Sequence, residues 1–203
     1  MKHFYHILKK DNKHKFIEGL MNSWDSTLRQ YEREWGKGSY LPYVYGERAN
    51  IGILAIAAAM IKALPFEEYS IKKGRGHQKH TGRADLEILA RNKQLWHIEA
   101  KRLQKSFRSH DFIDVVREKL NDAANEAESS TEGSNLRMGI VFVIPYGIIE
   151  PHTQCKQFVD RISDLKSLKA DFSAIHFAKP ELYQKAHKDS PGIAIVGRYV
   201  FVK

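Results

Sequence analysis

Residues 82–102 read GRADLEILARNKQLWHIEAKR. Two short alternating runs flank Arg91, Asn92 and Lys93, a pattern that predicts a β-hairpin. In the first run Ala84, Leu86, Ile88 and Ala90 share one face; in the second, Trp96, Ile98 and Ala100 match it. That side is apolar and packs on a core. The other face carries Asp85, Glu87 and Leu89, then Leu95, His97, Glu99 and Lys101, with the polar groups gathered away from the turn. If the loop has three residues, Ala90 pairs with Gln94 and Asp85 falls directly opposite Glu99. A two-residue loop makes the two acids diagonal neighbours.

Carboxylates facing each other across a ladder repel and weaken the sheet, so something positive is expected between them. Lys101, two positions along the same face, is one candidate, and a divalent cation is the other. Mg²⁺ takes one or two carboxylates and completes its shell with water and phosphate oxygens. Acids that hold a metal beside a lysine have the chemistry of a phosphodiester hydrolase. The competing reading is a solvated polar face with a surface Glu–Lys pair, which contributes little. Acid-any-lysine alone is unspecific, because the chain also holds "DNK" from Asp11 and "DLK" from Asp164. Only "EAK" ends a strand whose hairpin partner presents an acid at the matching position.

Around the hairpin, Ile17, Leu20, Trp24, Leu28, Tyr31 and Trp35 recur at helical spacing over residues 16–35, and "GKGSYLP" breaks the pattern. A second helix, apolar nearly all round and therefore buried, is predicted over residues 45–64, with Pro65 stopping it and Glu47 in its first turn. A short strand is expected over residues 69–72. Residues 72–83, "KKGRGHQKHTGR", form a flexible loop with Arg75, Lys79 and Arg83 and no acid. Its histidines lack a metal-ligand spacing. Phe112, Val116, Leu120, Ala123 and Ala127 mark a helix with Ser109 as N-cap. "LRMGIVFVIPY" is a strand buried on both faces, Pro151 opens another helix, and "DFSAIHFA" and "GIAIVGRYVFVK" close as strands. The order α, α, β, β, β, α, β, α, β, β predicts an α/β fold: a mixed sheet flanked by helices on both faces.

The chain's 203 residues suit one domain: a helical extension at 1–40, a core at 45–178 and terminal strands at 190–203. With 42% hydrophobic residues, global disorder is excluded. The excess of 33 Lys and Arg over 24 Asp and Glu favours a polyanionic partner. A single cysteine, Cys155, rules out an intramolecular disulfide and fits a reducing, cytoplasmic setting. The thiol falls on a helix face that reads as core. The most apolar run, residues 51–61, is too short to span a bilayer, and the N-terminus lacks the apolar core of a secretion signal.

The segment ADLEILARNKQLWHIEAK resembles the core of the PD-(D/E)XK nuclease superfamily, with its restriction-endonuclease-like fold. That family carries an acid on one strand and acid-any-lysine on the next, followed by a helix and a strand. An acid on a preceding helix often completes the site. Asp85, Glu99 and Lys101 match the strand positions and Glu47 the helix acid; Ala84 stands where the family often has proline. The resemblance implies an Mg²⁺-dependent endodeoxyribonuclease, with Mn²⁺ able to substitute. Asp85, Glu99, the carbonyl of Ala100 and Glu47 would hold the metal, and Lys101 would orient the attacking water. Glu87 and His97 would support the site from the same face, and Arg75, Lys79 and Arg83 would clamp the DNA backbone. A type II restriction-like endonuclease, acting as a homodimer, is the first specific expectation. A repair or junction nuclease and an inactive nucleic-acid-binding protein of the same fold are the alternatives.

Overall fold

The computed structural model describes residues 4–7, 12–35, 41–74, 80–130, 136–147, 151–178 and 190–200. Its elements, in order, are β1 (Phe4–Ile7), α1 (Asn12–Trp35), a single 3-10 turn (Pro42–Val44), α2 (Glu47–Met60), β2 (Leu64–Lys73), β3 (His80–Leu89), β4 (Leu95–Ser106), α3 (Phe112–Ser129), β5 (Leu136–Tyr146), α4 (Pro151–Ser163), α5 (Leu165–Leu168), β6 (Phe172–Phe177) and β7 (Gly192–Val200). The strands form one mixed sheet in the order β1-β6-β7-β5-β4-β3-β2. β4 and β5 run parallel, joined through α3, and every other pair is antiparallel.

The apolar alternation of the strands places a core on each side of this sheet. Met138, Ile140, Phe142 and Ile144 of β5 join Leu86, Ile88, Trp96 and Ile98 under α1 and α2. Val141 and Val143 turn the other way, to Val116 and Leu120 of α3, Phe158 of α4 and Leu165 of α5. The central strand is apolar at consecutive positions because both its faces are covered. No helix among the described residues is long and apolar enough to cross a membrane.

Several boundaries differ from the sequence expectation. α2 ends at Met60 because the backbone turns left-handed at Lys62 (φ 63°). Pro65, expected as a helix stop, instead lies near the start of β2, which runs well beyond the short strand expected at 69–72. β2 is an edge strand, where a missing N–H is tolerated. Ser109 is not the N-cap of α3. That position falls to Asp111, whose carboxylate accepts from the Ser109 hydroxyl instead of capping the helix. β1 was not anticipated; it pairs with β6 and extends the far edge. Of the α1 stripe, Ile17 to Leu28 is buried, while Trp35 stays 61% exposed beside Tyr31. The Cys155 thiol is partly buried against the α3-side core, and burial pushes its pKa up to about 11.

A charged network ties α1 to β6. Buried His176 holds Asp25 through Nδ1 and Glu32 through Nε2, each at 2.8 Å. Burial opposes charge on the ring, but hydrogen bonds to the two carboxylates outweigh it and raise the His176 pKa. Asp25, despite its own burial, is drawn down to about 2 by His176 and Arg29. Asp25 and Glu32 are seven residues apart, two helical turns, so both project from one side of α1.

Candidate active site

The hairpin closes through a three-residue loop. The Ala90 N–H donates to the Gln94 carbonyl at 2.8 Å, and Lys93 takes the left-handed conformation such a loop needs. Leu86 pairs with Ile98 and Glu87 with His97. One step further, Asp85 lies in register with Glu99. The regular β3–β4 ladder stops at Leu86, and there the Asp85 carboxylate itself accepts the Ala100 N–H at 2.8 Å. On the other side of β3, pairing with β2 lapses at Glu68, between Glu67↔Leu86 and Tyr69↔Ala84. Glu68 has φ 47° and turns to Arg48 at 3.2 Å and Arg83 at 3.4 Å. Asp85 thus has an acid in register on each side, and the sheet relaxes both pairings around it.

Burial pushes the Asp85 pKa up to about 6; the Ala100 N–H lowers it, the charges of Glu99 and Glu47 raise it, and Lys101 lowers it. No cationic side chain among the described residues comes within ion-pair distance of Asp85. Glu99, 1% exposed, meets Lys73 at 2.7 Å and His97 Nε2 at 3.0 Å. Burial opposes its charge, but hydrogen bonds from His97 and Lys73 hold its pKa below the usual value. Lys101 reaches Glu126 of α3 at 2.6 Å. Desolvation disfavours its charge, but the Glu126 hydrogen bond and the attraction of Glu126, Glu47 and Asp85 together outweigh it and raise its pKa. The charge of Glu47 therefore acts on both Asp85 and Lys101, as expected from a residue at the start of α2, which packs against β2, β3 and β4.

The structure thus gathers Asp85, Glu99, Lys101 and Glu47. Lys101 does not stand between the two acids, because it is held from α3 by Glu126. The cation on Glu99 is Lys73, which the sequence assigned to a loop. His97 bonds Glu99 directly, and its buried Nδ1 has no partner among the described residues. Glu87 is half-buried and in register with His97. Ala100 contributes its N–H, to Asp85. Arg75 and Lys79 lie outside the described residues. Arg83 is exposed and engaged with Glu68. Sequence reasoning missed Lys73, Glu126 and Glu68. Glu126 carried one signal, its place beside Ala123 and Ala127 on the inward stripe of α3.

Gly139 lets α3 come close enough for that contact. It lies beside Glu99 in the β4–β5 ladder, and a Cβ there would collide with the backbone of Ala123 and Ala124. Gly139→Ala should therefore cost about 3 kcal/mol by overpacking. Urea denaturation will measure it.

The donor chemistry suits a hard divalent cation: a buried and a half-buried carboxylate facing each other, a third acid whose charge acts on Asp85, and, among the described residues, one acid without a cation and one imidazole nitrogen without a partner. Among the described residues, no three His, Cys, Asp or Glu side chains are drawn into a ligand cluster. Glu99 is instead turned to Lys73 and His97.

Neither the family models nor the curated proteins compared with this chain give a match. A solved structure titled "Crystal structure of SSO0001" aligns over 74% of this chain and 82% of its own, at 19% identity and a TM-score of 0.23. At that score the likeness carries no argument about fold or function.

Proposed function

We propose that the chain is a metal-dependent phosphodiester hydrolase acting on DNA, of the PD-(D/E)XK kind. The observation that carries this reading is the placement of half-buried Asp85 opposite Glu99, one step past the Leu86–Ile98 pair, with no cation in ion-pair contact among the described residues and within the electrostatic reach of Glu47 and Lys101. Asp85, Glu99, Glu47 and the Ala100 carbonyl are the groups that would hold Mg²⁺ or Mn²⁺. Such an ion, when bound, lowers the pKa of water and polarises a phosphoryl oxygen. The raised pKa of Lys101 keeps it an ammonium, so it donates to and orients the attacking water and does not take its proton. His97 fixes the direction of Glu99. The net charge of +9 favours the polyanion, and Arg75 and Lys79 supply a sequence-independent hold on phosphates, with Arg83 if Glu68 releases it. Within this class a type II restriction-like endonuclease working as a homodimer is the first reading, and a repair or junction nuclease the second.

A binding protein that has lost the chemistry is favoured by one observation, the neutralisation of Glu99 by Lys73. Chelator-treated protein offered duplex, single-stranded and branched DNA separates the readings. Cleavage should appear only when Mg²⁺ or Mn²⁺ is added back. Binding without cleavage in every metal supports the inactive reading, and undiminished cleavage in EDTA removes the metal from the account.

A further inference from the structure

We propose that Lys73 is a resident cation of this site, one that a divalent metal must displace from Glu99 to bind. The proposal rests on the metal-site reading above and adds the competitor for that site.

The contact is built by the fold. The backbone of Lys73 is bridged to Ser130, just after α3, and the neighbouring Gly74 N–H donates to the Ser129 carbonyl at 2.9 Å. These bonds pin the last residue of β2 against the end of α3. From there the lysine stem crosses Gly82: a Cβ on that glycine would lie 2.8 Å from Lys73 Cδ and 3.2 Å from Cγ. A side chain at that position would oblige the lysine stem to shift from this path. The ammonium then reaches Glu99 at 2.7 Å, with the lysine side chain 12% exposed and the glutamate 1%.

A buried carboxylate without a cation is strongly destabilising. Lys73 meets that need for Glu99, whereas neighbouring Asp85 has no such partner among the described residues. A metal that takes Glu99 as a ligand must first break the Lys73 contact, and an ammonium and a divalent ion cannot share that oxygen without repulsion. Metal affinity is therefore lowered by the strength of the Lys73–Glu99 pair, and the chain holds a compact site before metal arrives.

The test is a calorimetric Mn²⁺ titration of the whole chain as wild type, Lys73→Gln and Gly82→Ala, with thermal melts of each in EDTA and in Mn²⁺. Gly82→Ala keeps every charge and forces the stem off its present path, so it carries the comparison if Lys73→Gln folds poorly. Both variants should bind Mn²⁺ at least tenfold more tightly than the wild type. Lys73→Gln should also melt several degrees lower in EDTA and regain that loss in Mn²⁺. Equal or weaker Mn²⁺ binding by the variants, with the wild type binding, overturns the displacement and leaves the metal site standing. Absence of Mn²⁺ binding in all three overturns the proposal and the metal site together.

Discussion

Lys101→Ala should lower DNA cleavage about a thousandfold, the usual scale for removing a group that positions a nucleophile or stabilises developing charge. The side chain is held at 2.6 Å by Glu126 on α3, and the nearby acids keep it protonated. A fixed ammonium beside the carboxylate pair contributes mainly after substrate is in place. Affinity for DNA rests instead on the dispersed basic residues, so the variant should still shift DNA in a gel with little change in affinity. Turnover close to the wild-type rate would show that Lys101 serves only to dock α3 on the sheet.

Asp85→Asn should act in the opposite sense to an ordinary lost contact. The Asp85 carboxyl titrates near 6 in the fold, against 3.8 as the ordinary value. Below about pH 4 the acid is protonated in both folded and unfolded chains and imposes no penalty. As pH rises through 6 the folded chain must hold a carboxylate that burial disfavours, and stability is lost. Two pH units correspond to nearly 3 kcal/mol, and partial solvent screening reduces this to roughly 2 kcal/mol at neutral pH. The amide oxygen of asparagine can still accept the Ala100 N–H, so shape and hydrogen bond survive. In EDTA at pH 7.5 the variant should melt roughly 5 °C above the wild type, and the wild-type loss between pH 4 and 7 should flatten. Mn²⁺ should stabilise the wild type and leave the variant unmoved, because a ligand that binds only the folded state raises its melting point. A variant that melts several degrees lower in EDTA, beside a wild type indifferent to metal, makes Asp85 a structural acid.

The hairpin was legible because its information is local. Alternation fixes the faces, and counting sets Asp85 opposite Glu99 for a three-residue loop or diagonal to it for a two-residue one; the Ala90–Gln94 bond decides for the former. The apolar run of β5 likewise announced a strand covered on both sides. The partners of the site were not legible, because they depend on tertiary closure. Lys73 reads as one more cation in a basic stretch until the bridge to Ser130 and the gap over Gly82 direct it inward. Glu126 is an unremarkable helix acid until Gly139 brings α3 down on β5. Glu68 falls just before the strand expected at 69–72 and carries no signal of its own, yet the backbone turns left-handed there and relieves a row of three acids. Asp25 and Glu32 lie off the apolar stripe read from α1, and only the fold supplies His176 between them. Pro65 misled for a related reason: a proline stops a helix and is also accepted on an edge strand, and the edge is a property of the sheet.

A nicking assay on circular DNA tests the central claim most directly. Wild type, Asp85→Asn, Glu99→Gln and Lys101→Ala would be purified alike and compared in Mg²⁺, Mn²⁺ and EDTA. The account predicts strand breaks from the wild type in either metal, none in EDTA, and at least a thousandfold slower cleavage by each variant. Equal cleavage by wild type and variants would show that any breaks arise elsewhere and that the hairpin acids are not the catalytic groups.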